Sequence, residues 1–380
     1  MAHPPDRSRD SLTAYLALAQ VPGIGSQRLR LLVAAFGSAE AALQASHASL
    51  ASLPGLGKAA ATAIRAASPA DGERLLDRLA QCGEKGARAL LPPPADQAYP
   101  AQLGEVRDPP MVLYAWGDVG LLTRPAVAIV GSRNHTAYGA EAARLLAGAV
   151  ARRGAVVVSG MARGIDAIAH TAALDVGGAS VGVLGNGFGV IYPAANRALY
   201  ERMVRSGCLV TEHPPGERPH VGSFPQRNRL IAGLARAVVV IEAAAQSGAL
   251  STADAGLEQG RGVLAVPGPI TSPTSVGCNK LIQQGAHPAL CAADILEAVG
   301  LAGGLADTAL ALATPAPRVP PPDLSGLQLT LWSRLTAEPQ HVDALVAGAR
   351  TAAADVLGAL TELELRGLVR QGPGMVFGLT

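Results

Sequence analysis

The order of apolar and polar positions divides the chain into three segments and a linker. Residues 11–90 are rich in Ala and Leu at helical spacing, and residues 97–300 alternate short β-branched runs with helical runs. Residues 301–323 contain a Gly/Ala stretch followed by several prolines, which predicts a semi-rigid linker. Residues 324–380 predict a small helical unit that ends in a β turn at Gly372–Phe377.

Apolar runs in the central segment predict the strands of a parallel sheet. They are continuous rather than alternating, so we expect helices on both faces. The runs are Ala126–Val130, Ala155–Val158, Val181–Leu184, Ala237–Ile241 and Val263–Val266. The segment is therefore predicted to be an α/β domain with a doubly wound sheet. Its last helix is predicted around Leu281 and Ile282, whose apolar face could be core or a subunit contact.

Small and polar residues follow three of these runs and are candidates for anion binding. Loops at the carboxyl ends of parallel strands converge on one crevice. Backbone N–H groups, hydroxyls and the guanidinium fork of arginine suit phosphate. Each loop taken alone also fits an ordinary turn or helix N-cap. The candidates are Gly131, Ser132, Arg133, Gly160, Arg163, Ser247 and Gly248.

The most specific pattern is Phe224–Gly233, where polar groups and an aromatic residue open an apolar helical run. An exposed Phe224 beside a phosphate-binding crevice would provide a stacking surface for an unpaired base. Arg227 and Arg229 are candidates for phosphate contacts, and Asn228 for a base edge or for bracing the loop. The alternative is that Phe224 is core and the arginines cap a helix.

Two nearby patterns favour structural roles over catalytic ones. Asp166 and His170 share one face of a helix, where they could form an acid–base pair, half a metal site or a brace for the loop. We favour the brace, since the spacing suggests no further ligand or nucleophile. The glycines of Gly185–Gly189 are a poor dinucleotide fingerprint, because they follow the third strand and Tyr192-Pro193 interrupts the helix start. We therefore expect no cofactor and no metal.

An internal repeat stands out in the first segment: Val21-Pro22-Gly23-Ile24-Gly25 recurs as Leu53-Pro54-Gly55-Leu56-Gly57. Paired hairpins of this kind could present free N–H groups to duplex phosphates. The candidate contacts are Gly23, Gly25, Arg28, Gly55, Gly57 and Lys58. Few basic residues surround them, so a tight helix–helix turn explains the glycines slightly better.

Composition limits the remaining possibilities. The net charge of +2 argues against a globally basic nucleic-acid coat, so any such binding must come from a local patch. The four cysteines show no paired or metal-ligand spacing, which fits a reducing cytoplasm. No apolar run could span a bilayer and no secretory signal is visible, so we expect a cytoplasmic location.

Taken together, these motifs resemble the DNA-processing protein A family, also called DprA or Smf. The resemblance covers residues 97–295 most strongly, through Val130–Arg133, Ser159–Asp166 with His170, Tyr192-Pro193, Glu212–Gly216, Phe224–Arg229, Ser247-Gly248 and Val266–Gly268. It implies a Rossmann-like domain between an N-terminal sterile-alpha-motif-like or helix-hairpin-helix domain and a C-terminal winged-helix domain. It also implies a non-enzymatic homodimer that binds single-stranded DNA and loads RecA recombinase during natural transformation. By motif match, Arg133, Phe224, Asn228 and Arg229 inherit DNA contacts.

The sequence departs from the family pattern at two positions. Gly189 stands where the family usually has Asp, and Val221 where it often has Lys. The lost cation weakens the expected phosphate grip, for which Arg218 or His220 could substitute. In the C-terminal unit, the recognition helix is expected over about Thr351–Leu365. Its middle is acidic, so we expect it to contact protein or to regulate rather than to bind DNA.

Two other functions compete with DNA-strand binding. One is a nucleotide-processing enzyme of the phosphoribohydrolase type, but that class resembles proteins with a Pro-Gly-Gly-x-Gly-Thr loop, whereas this chain has Ala245–Ala249 there. The other is a protein that shapes duplex DNA through the N-terminal hairpins.

Overall fold

We describe the protein from a computed structural model, which describes residues 9–82, 86–92, 96–301, 321, 323–324, 326–335, 340–349, 351–372 and 374–379. The chain divides into two compact units, residues 1–307 and 308–380. Most of the predicted linker, residues 302–320 and 322, lies outside the described residues.

Short helices build the N-terminal part of the first unit. They are α1 (Arg9–Ala19), α2 (Ser26–Phe36), α3 (Ala39–Gln44), α4 (His47–Ala51), α5 (Gly57–Ala66) and α6 (Pro69–Ala80). Both predicted hairpins are present, since α2 and α5 begin directly at the repeated glycines. Gly23 and Gly55 have φ of 80° and 79°, a left-handed conformation that glycine adopts without strain.

A nine-stranded sheet follows, and it contains all five predicted strands. Its order is β1-β2-β6-β5-β4-β3-β7-β8-β9. β1 and β2 are antiparallel to their neighbours, while β3 to β9 pair in parallel. The strands are β1 (Arg88–Leu90), β2 (Leu113–Gly117), β3 (Ala126–Val130), β4 (Val156–Ser159), β5 (Ser180–Val183), β6 (Cys208–Thr211), β7 (Ala237–Val240), β8 (Gly262–Ala265) and β9 (His287–Pro288).

Helices cover both faces of this sheet, as the continuous apolar runs predicted. Along β3, Ala128 and Val130 pack into one buried cluster, whereas Val127 and Ile129 pack into another. The helices are α7 (Ala101–Gly104), α8 (Ala137–Arg152), α9 (Ile165–Asp175), α10 (Arg197–Ser206), α11 (Ser223–Gly233), α12 (Leu250–Glu258), α13 (Val276–Gln283) and α14 (Ala292–Ala298). The prediction that α13 is the last helix of the domain is wrong, because α14 follows and packs Ile295 and Leu296 onto the sheet.

The N-terminal helices are not separate from the sheet. Leu16, Leu75 and Leu79 share a buried cluster with Tyr114 of β2 and Leu209 of β6. β1 lies at the end of the segment predicted to be helical, yet it pairs with β2. Helices and sheet are therefore one folding unit, and deleting the helices would expose this shared apolar surface.

The second unit contains α15 (Gly326–Arg334), β10 (Gln340–His341), α16 (Val342–Ala349), α17 (Ala353–Leu365), β11 (Val369–Gly372) and β12 (Val376–Leu379). Its small sheet has the order β10-β12-β11. Leu331, Leu345, Leu360 and Phe377 are among the residues of its own buried core. The expected recognition helix is α17. Among the described residues of the whole chain, no single helix is long and apolar enough to cross a membrane.

Candidate nucleic-acid interface

The strand order creates a switch point beside β3. The chain runs from β3 to β4 on one side and later returns to β7 on the other, and both pair with β3 in parallel. Loops after β3 and β7 therefore diverge and leave a crevice at the carboxyl ends of the strands. Its volume is about 460 Å³, and α11 with the loop after β4 completes its wall. Most of the predicted anion-binding residues line it: Gly131, Ser132, Arg133, Phe224, Arg227, Asn228, Ser247 and Gly248.

The Gly131-Ser132-Arg133 loop is fixed by its backbone, and Arg133 has no hydrogen bond or ion pair to any other residue that the structure describes. The Ser132 N–H donates to the Glu242 carbonyl at 2.8 Å, and the Ser132 hydroxyl accepts from the Asn134 N–H at 3.1 Å. A Cβ on Gly131 would lie 2.8 Å from Ile165 Cγ1, so a side chain there would force the loops apart. Arg133 is exposed, with its guanidinium carbon 5.5 Å from the centroid of the Phe224 ring. This is a cation–π distance.

Glu242, the acidic residue directly after the apolar run Ala237–Ile241, anchors the same loop. It is 3 % exposed, and its carboxylate accepts from the Thr136 N–H at 3.1 Å and the Thr136 hydroxyl at 2.9 Å. Thr136 in turn caps α8 by accepting from the Gly139 N–H. The sequence carried one signal for this role, which is an acidic residue directly after an apolar strand. Such a carboxylate is expected to be buried, and a buried carboxylate needs hydrogen-bond donors nearby.

Asp166 and His170 brace the loop after β4, as the favoured interpretation predicted. Both are buried, and Asp166 accepts from the Gly160 N–H at 3.1 Å. His170 Nδ1 lies 2.7 Å from the Ser180 hydroxyl, and its Nε2 accepts from the Met161 N–H at 3.4 Å. Burial raises the pKa of Asp166, an effect that Arg227 opposes, and burial lowers the pKa of His170 to about 3. The histidine is neutral at pH 7 and fixes the backbone.

Arg227 is not the free phosphate contact that the sequence suggested. It is 4 % exposed, and its Nη1 donates to the Gly160 carbonyl and, at 2.6 Å, to the Val183 carbonyl. Burial lowers the pKa of Arg227 to about 10, so it stays charged at pH 7. The side chain thus ties α11 to the loops after β4 and β5, because α11 runs across their ends. We assign it a supporting role.

Arg229 is also committed to partners within the chain. Its Nη2 donates to the Glu212 carboxylate, and its Nε lies 3.9 Å from Asp108 Oδ2. Burial raises the pKa of Glu212, and Arg229 opposes that rise. Arg229 is therefore held in an ion pair with a largely buried carboxylate, and its predicted phosphate contact stays a prediction.

Asn228 joins the α11 motif to the loop after β7. Its Nδ2 donates to the Ser251 hydroxyl at 2.6 Å, which matches the predicted alternative of bracing the loop. The Ser251 hydroxyl donates to the Gly248 carbonyl, and Gly248 has open space where a side chain would stand. The Ser247 hydroxyl accepts from the Ala249 N–H at 3.3 Å. Ser247, Asn228 and Ser251 thus line the crevice around an unobstructed glycine.

Phe224 is half-buried and divides the crevice from a second chamber. The second chamber has a volume of about 300 Å³ and also borders Arg133, Ala162 and Arg227. Arg163, the remaining predicted contact near Gly160, is exposed and lines this second chamber. Phe224 is therefore neither a core residue nor fully exposed. Together with Arg133 it forms a ridge between the crevice and the second chamber.

The two departures from the family pattern have local explanations. Gly189 has φ of 87°, where glycine is unstrained, and the Asn186 side chain holds the loop by donating to the Val190 carbonyl at 2.7 Å. Val221 is 91 % exposed just before α11. Arg218 and His220 are exposed on the same loop, so either could supply a cation there.

The two hairpins differ. At the first, the Ser26 hydroxyl donates to Asp108 Oδ1 at 2.8 Å, and Arg28 Nη1 donates to the Gly23 carbonyl at 2.6 Å. A carboxylate thus lies at the start of α2, where a phosphate would bind. At the second, Gly55, Gly57 and Lys58 are exposed.

Leu281 and Ile282, the two residues of the predicted subunit contact, differ in their burial. Leu281 is 7 % exposed and packs into the core of its own chain, which matches the core alternative for this side chain. Ile282 is half-buried at the margin of the same cluster. Among the described residues there is no group of three or more His, Cys, Asp or Glu that could hold a metal ion.

Fold and site together define a class: a Rossmann-like protein with a crevice lined by an arginine and hydroxyl groups at its switch point, preceded by tandem helical hairpins and followed by a winged-helix unit. Comparison with known proteins narrows this class. The family model for DNA recombination-mediator protein A matches residues 91–300, which is more than half of the chain. The model for the DprA winged helix domain matches residues 315–375, and that for the SAM-like helix-hairpin-helix tandem matches residues 15–67. The chain belongs to the DNA recombination-mediator protein A (DprA/Smf) family.

Individual relatives agree with this assignment. Protein Smf of Synechocystis is 35 % identical over 389 residues, covering 95 % of this chain and 97 % of the relative. The X-ray structure of DprA from Streptococcus pneumoniae is similar at 31 % identity with a TM-score of 0.65, covering 77 % of this chain and 98 % of that one. DprA from Helicobacter pylori, described for its single-stranded DNA binding mode, is similar at 30 % identity with a TM-score of 0.51, covering 56 % and 94 %.

Proposed function

We propose that this protein binds single-stranded DNA in the crevice beside β3 and acts as a recombination mediator rather than an enzyme. The observation that carries the proposal is the Arg133–Phe224 ridge, where a free cation lies 5.5 Å from the centroid of a half-buried aromatic ring. The Arg133 guanidinium can bind a phosphate, and the Phe224 ring can stack with an unpaired base. Because bases in a duplex are already stacked and paired, this pair suits a single strand better than a duplex.

The surrounding loops support the same reading. The crevice offers hydroxyls and an open glycine at Ser247 and Gly248. The carboxylates of Asp166, which lines it, and of Glu242, which anchors the loop after β3, are held by structural hydrogen bonds. Asp166 accepts from backbone N–H groups, and Glu242 accepts from Thr136. Neither carboxylate is free to move a proton, which favours a binding role.

The decisive experiment is fluorescence anisotropy with a short oligo-dT and a matched duplex at two salt concentrations. We expect tighter binding to the single strand, a strong salt dependence, and at least about a tenfold loss on Arg133→Ala, near 1.4 kcal/mol. The substitution should also reduce the salt slope by about one. Arg144→Ala is the matched control, since Arg144 is exposed on α8 and does not line the crevice.

If neither DNA binds and Arg133→Ala changes nothing, the crevice serves a small nucleotide instead. Incubation with nucleoside monophosphates and detection of released base would then identify the phosphoribohydrolase type of activity. Release of base by the wild type, lost on Arg133→Ala, would replace the mediator by an enzyme.

As a family member, the protein is further proposed to work in the cytoplasm as a homodimer that protects incoming DNA and loads RecA during natural transformation. Ile282 is the better test of the dimer, because Leu281→Glu would disrupt the core. If the Ile282→Glu variant keeps the molecular mass of a dimer in solution, Ile282 is not part of the subunit contact. RecA loading predicts that the protein shortens the lag of RecA assembly on strands coated by a single-strand-binding protein, and an unchanged lag would contradict it.

A further inference from the structure

A buried carboxylate fills the position at which many Rossmann-like domains bind a phosphate. In such domains the phosphate lies at the N-terminus of the helix that follows the first strand beside the switch point. Here that strand is β3 and that helix is α8, which begins directly after its N-cap residue Thr136. The group found there is the side chain of Glu242, which comes shortly after β7 on the other side of the switch point.

The contacts of the Glu242 carboxylate are those of a bound anion. Its two oxygens accept from the Thr136 N–H at 3.2 and 3.1 Å, and one of them also accepts from the Thr136 hydroxyl at 2.9 Å. A Cβ on Gly139 would collide with that oxygen, so the carboxylate lies directly against the first turn of α8. The free N–H groups and the positive end of the helix dipole stabilise a negative charge at this place.

The helix start takes the part of a counterion for this charge. Glu242 is buried, yet no Lys, Arg or His among the residues that the structure describes forms an ion pair with it. By contrast, the largely buried Glu212 is paired with Arg229. A buried carboxylate without a cation is costly unless hydrogen-bond donors replace its water, and here the first turn of α8 supplies them.

The start of α8 is also closed off from the crevice. The crevice reaches the loop after β3 as far as Asn134, whereas neither Thr136 nor Glu242 lines it. A ligand in the crevice therefore meets Arg133 and the surrounding loops, and it does not reach the N-terminus of α8. The phosphate position typical of nucleotide-binding Rossmann domains is filled from within the chain, although the crevice beside it is open.

We propose that Glu242 determines the ligand class of this domain: its carboxylate is a built-in anion that excludes the phosphate group of a free nucleotide from the start of α8. This inference rests on the proposed single-strand binding and adds a reason why the domain takes a strand rather than a mononucleotide. A strand gains affinity from several weak contacts made at once along the crevice. A free nucleotide cannot do so, and the helix start that would bind its phosphate is already filled.

The test removes the built-in anion and offers another from solution. Glu242→Ala leaves space and unpaired donors at the start of α8, whereas Glu242→Gln removes the charge and keeps the position filled. The folding equilibrium constant is measured by urea denaturation in potassium phosphate and in potassium chloride of equal ionic strength. We expect about 50 mM inorganic phosphate to raise this constant at least about fivefold more for Glu242→Ala than for the wild type. Glu242→Gln should respond like the wild type.

A matched control is needed because phosphate stabilises folded proteins in general by being excluded from their surface. Glu141→Ala provides it, since Glu141 is exposed on the same helix and pairs with Arg144 at the surface. Its response to phosphate should equal that of the wild type. The series is repeated with adenosine monophosphate, for which we again expect a gain that is specific to Glu242→Ala.

An equal response of Glu242→Ala and the wild type to phosphate would overturn the proposal. A response to phosphate without one to adenosine monophosphate would also overturn it, because the position would then not admit a nucleotide. If Glu242→Ala does not fold in chloride, Glu242→Ser is refolded in both salts: recovery in phosphate alone supports the proposal, and recovery that is equal in the two salts contradicts it. Failure of the wild type to bind oligo-dT would instead overturn the proposed function and leave the phosphate result standing.

Discussion

The crevice beside β3 and the N-terminal hairpins use the same local device, a glycine turn that opens a helix, but the crevice gathers several such loops whereas each hairpin presents one. In the crevice, loops after β3, β4 and β7 meet α11, and Arg133 is left free at their junction. At the first hairpin, Asp108 takes the position at the helix start and Arg28 turns back to the Gly23 carbonyl. The crevice thus combines several glycine loops with an exposed arginine, whereas a carboxylate already occupies the helix start of the first hairpin.

The largest effect should come from the buried support of the crevice. Arg227→Ala would leave Asp166 without its cation and free the carbonyls of Gly160 and Val183. We expect a loss of about 3–5 kcal/mol in the free energy of unfolding, measured by urea denaturation. Arg144→Ala, on an exposed surface, should stay within about 0.5 kcal/mol. Equal stability of both variants would show that the crevice does not depend on this buried arginine.

A second effect concerns pH, because the buried His170 braces the loop after β4, which forms part of the crevice wall, whereas His47 in the hairpin segment is exposed. His170 has an ordinary pKa of 6.5 and a folded-state pKa of about 3. Between these values the unfolded chain binds a proton that the folded chain does not, so stability falls as pH falls. From about pH 7 to pH 5 the loss should be about 2 kcal/mol.

The measurement is urea denaturation at both pH values for wild type and for His170→Gln, which has no titrating imidazole. The variant will be less stable at pH 7 but should have the smaller dependence on pH. Parallel curves for the two proteins would contradict the assignment of His170 as a buried neutral brace.

The winged-helix unit gives a third point of comparison. Its helix α17 carries Asp355, Glu362 and Glu364 on exposed positions, so its surface repels phosphate. Because this unit has its own buried core, deletion of residues 324–380 should leave the first unit folded. Affinity for oligo-dT should fall by less than about tenfold, or 1.4 kcal/mol. A larger loss would assign this unit a direct share in DNA binding.

The smallest effect is expected at the hairpins. Lys58→Ala should weaken duplex binding about two- to fivefold and leave single-strand binding unchanged, since Lys58 is exposed beside an unobstructed helix start. Arg28→Ala is the control and should change neither affinity. Substitution is the sharper test than removal of residues 1–90, because those helices share a core with the sheet. If Arg28→Ala costs more than Lys58→Ala, the contrast between the hairpins is wrong.

Much of the architecture could be predicted from the chain alone. Continuous apolar runs predicted all five central parallel strands and their burial on both faces, and repeated glycines predicted the hairpins. β1, β2, β6 and β9 were missed. β1 and β9 have only three and two residues and carry little signal of their own, whereas β2 and β6 are as long as the predicted strands. Leu281 shows the limit of pattern: an apolar helix face fits a core or an interface equally well, and only packing decides between them.

The sequence by itself determined which residue types could bind phosphate, since a guanidinium, a hydroxyl or a free N–H carries that chemistry wherever it stands. Tertiary structure decided which of them are available. Arg133, Arg227 and Arg229 are equivalent as sequence letters, yet the fold leaves the first free, buries the second against backbone carbonyls and pairs the third with Glu212. The physical reason is that availability of a charge depends on its burial and partners, and these are set by residues far apart in the chain.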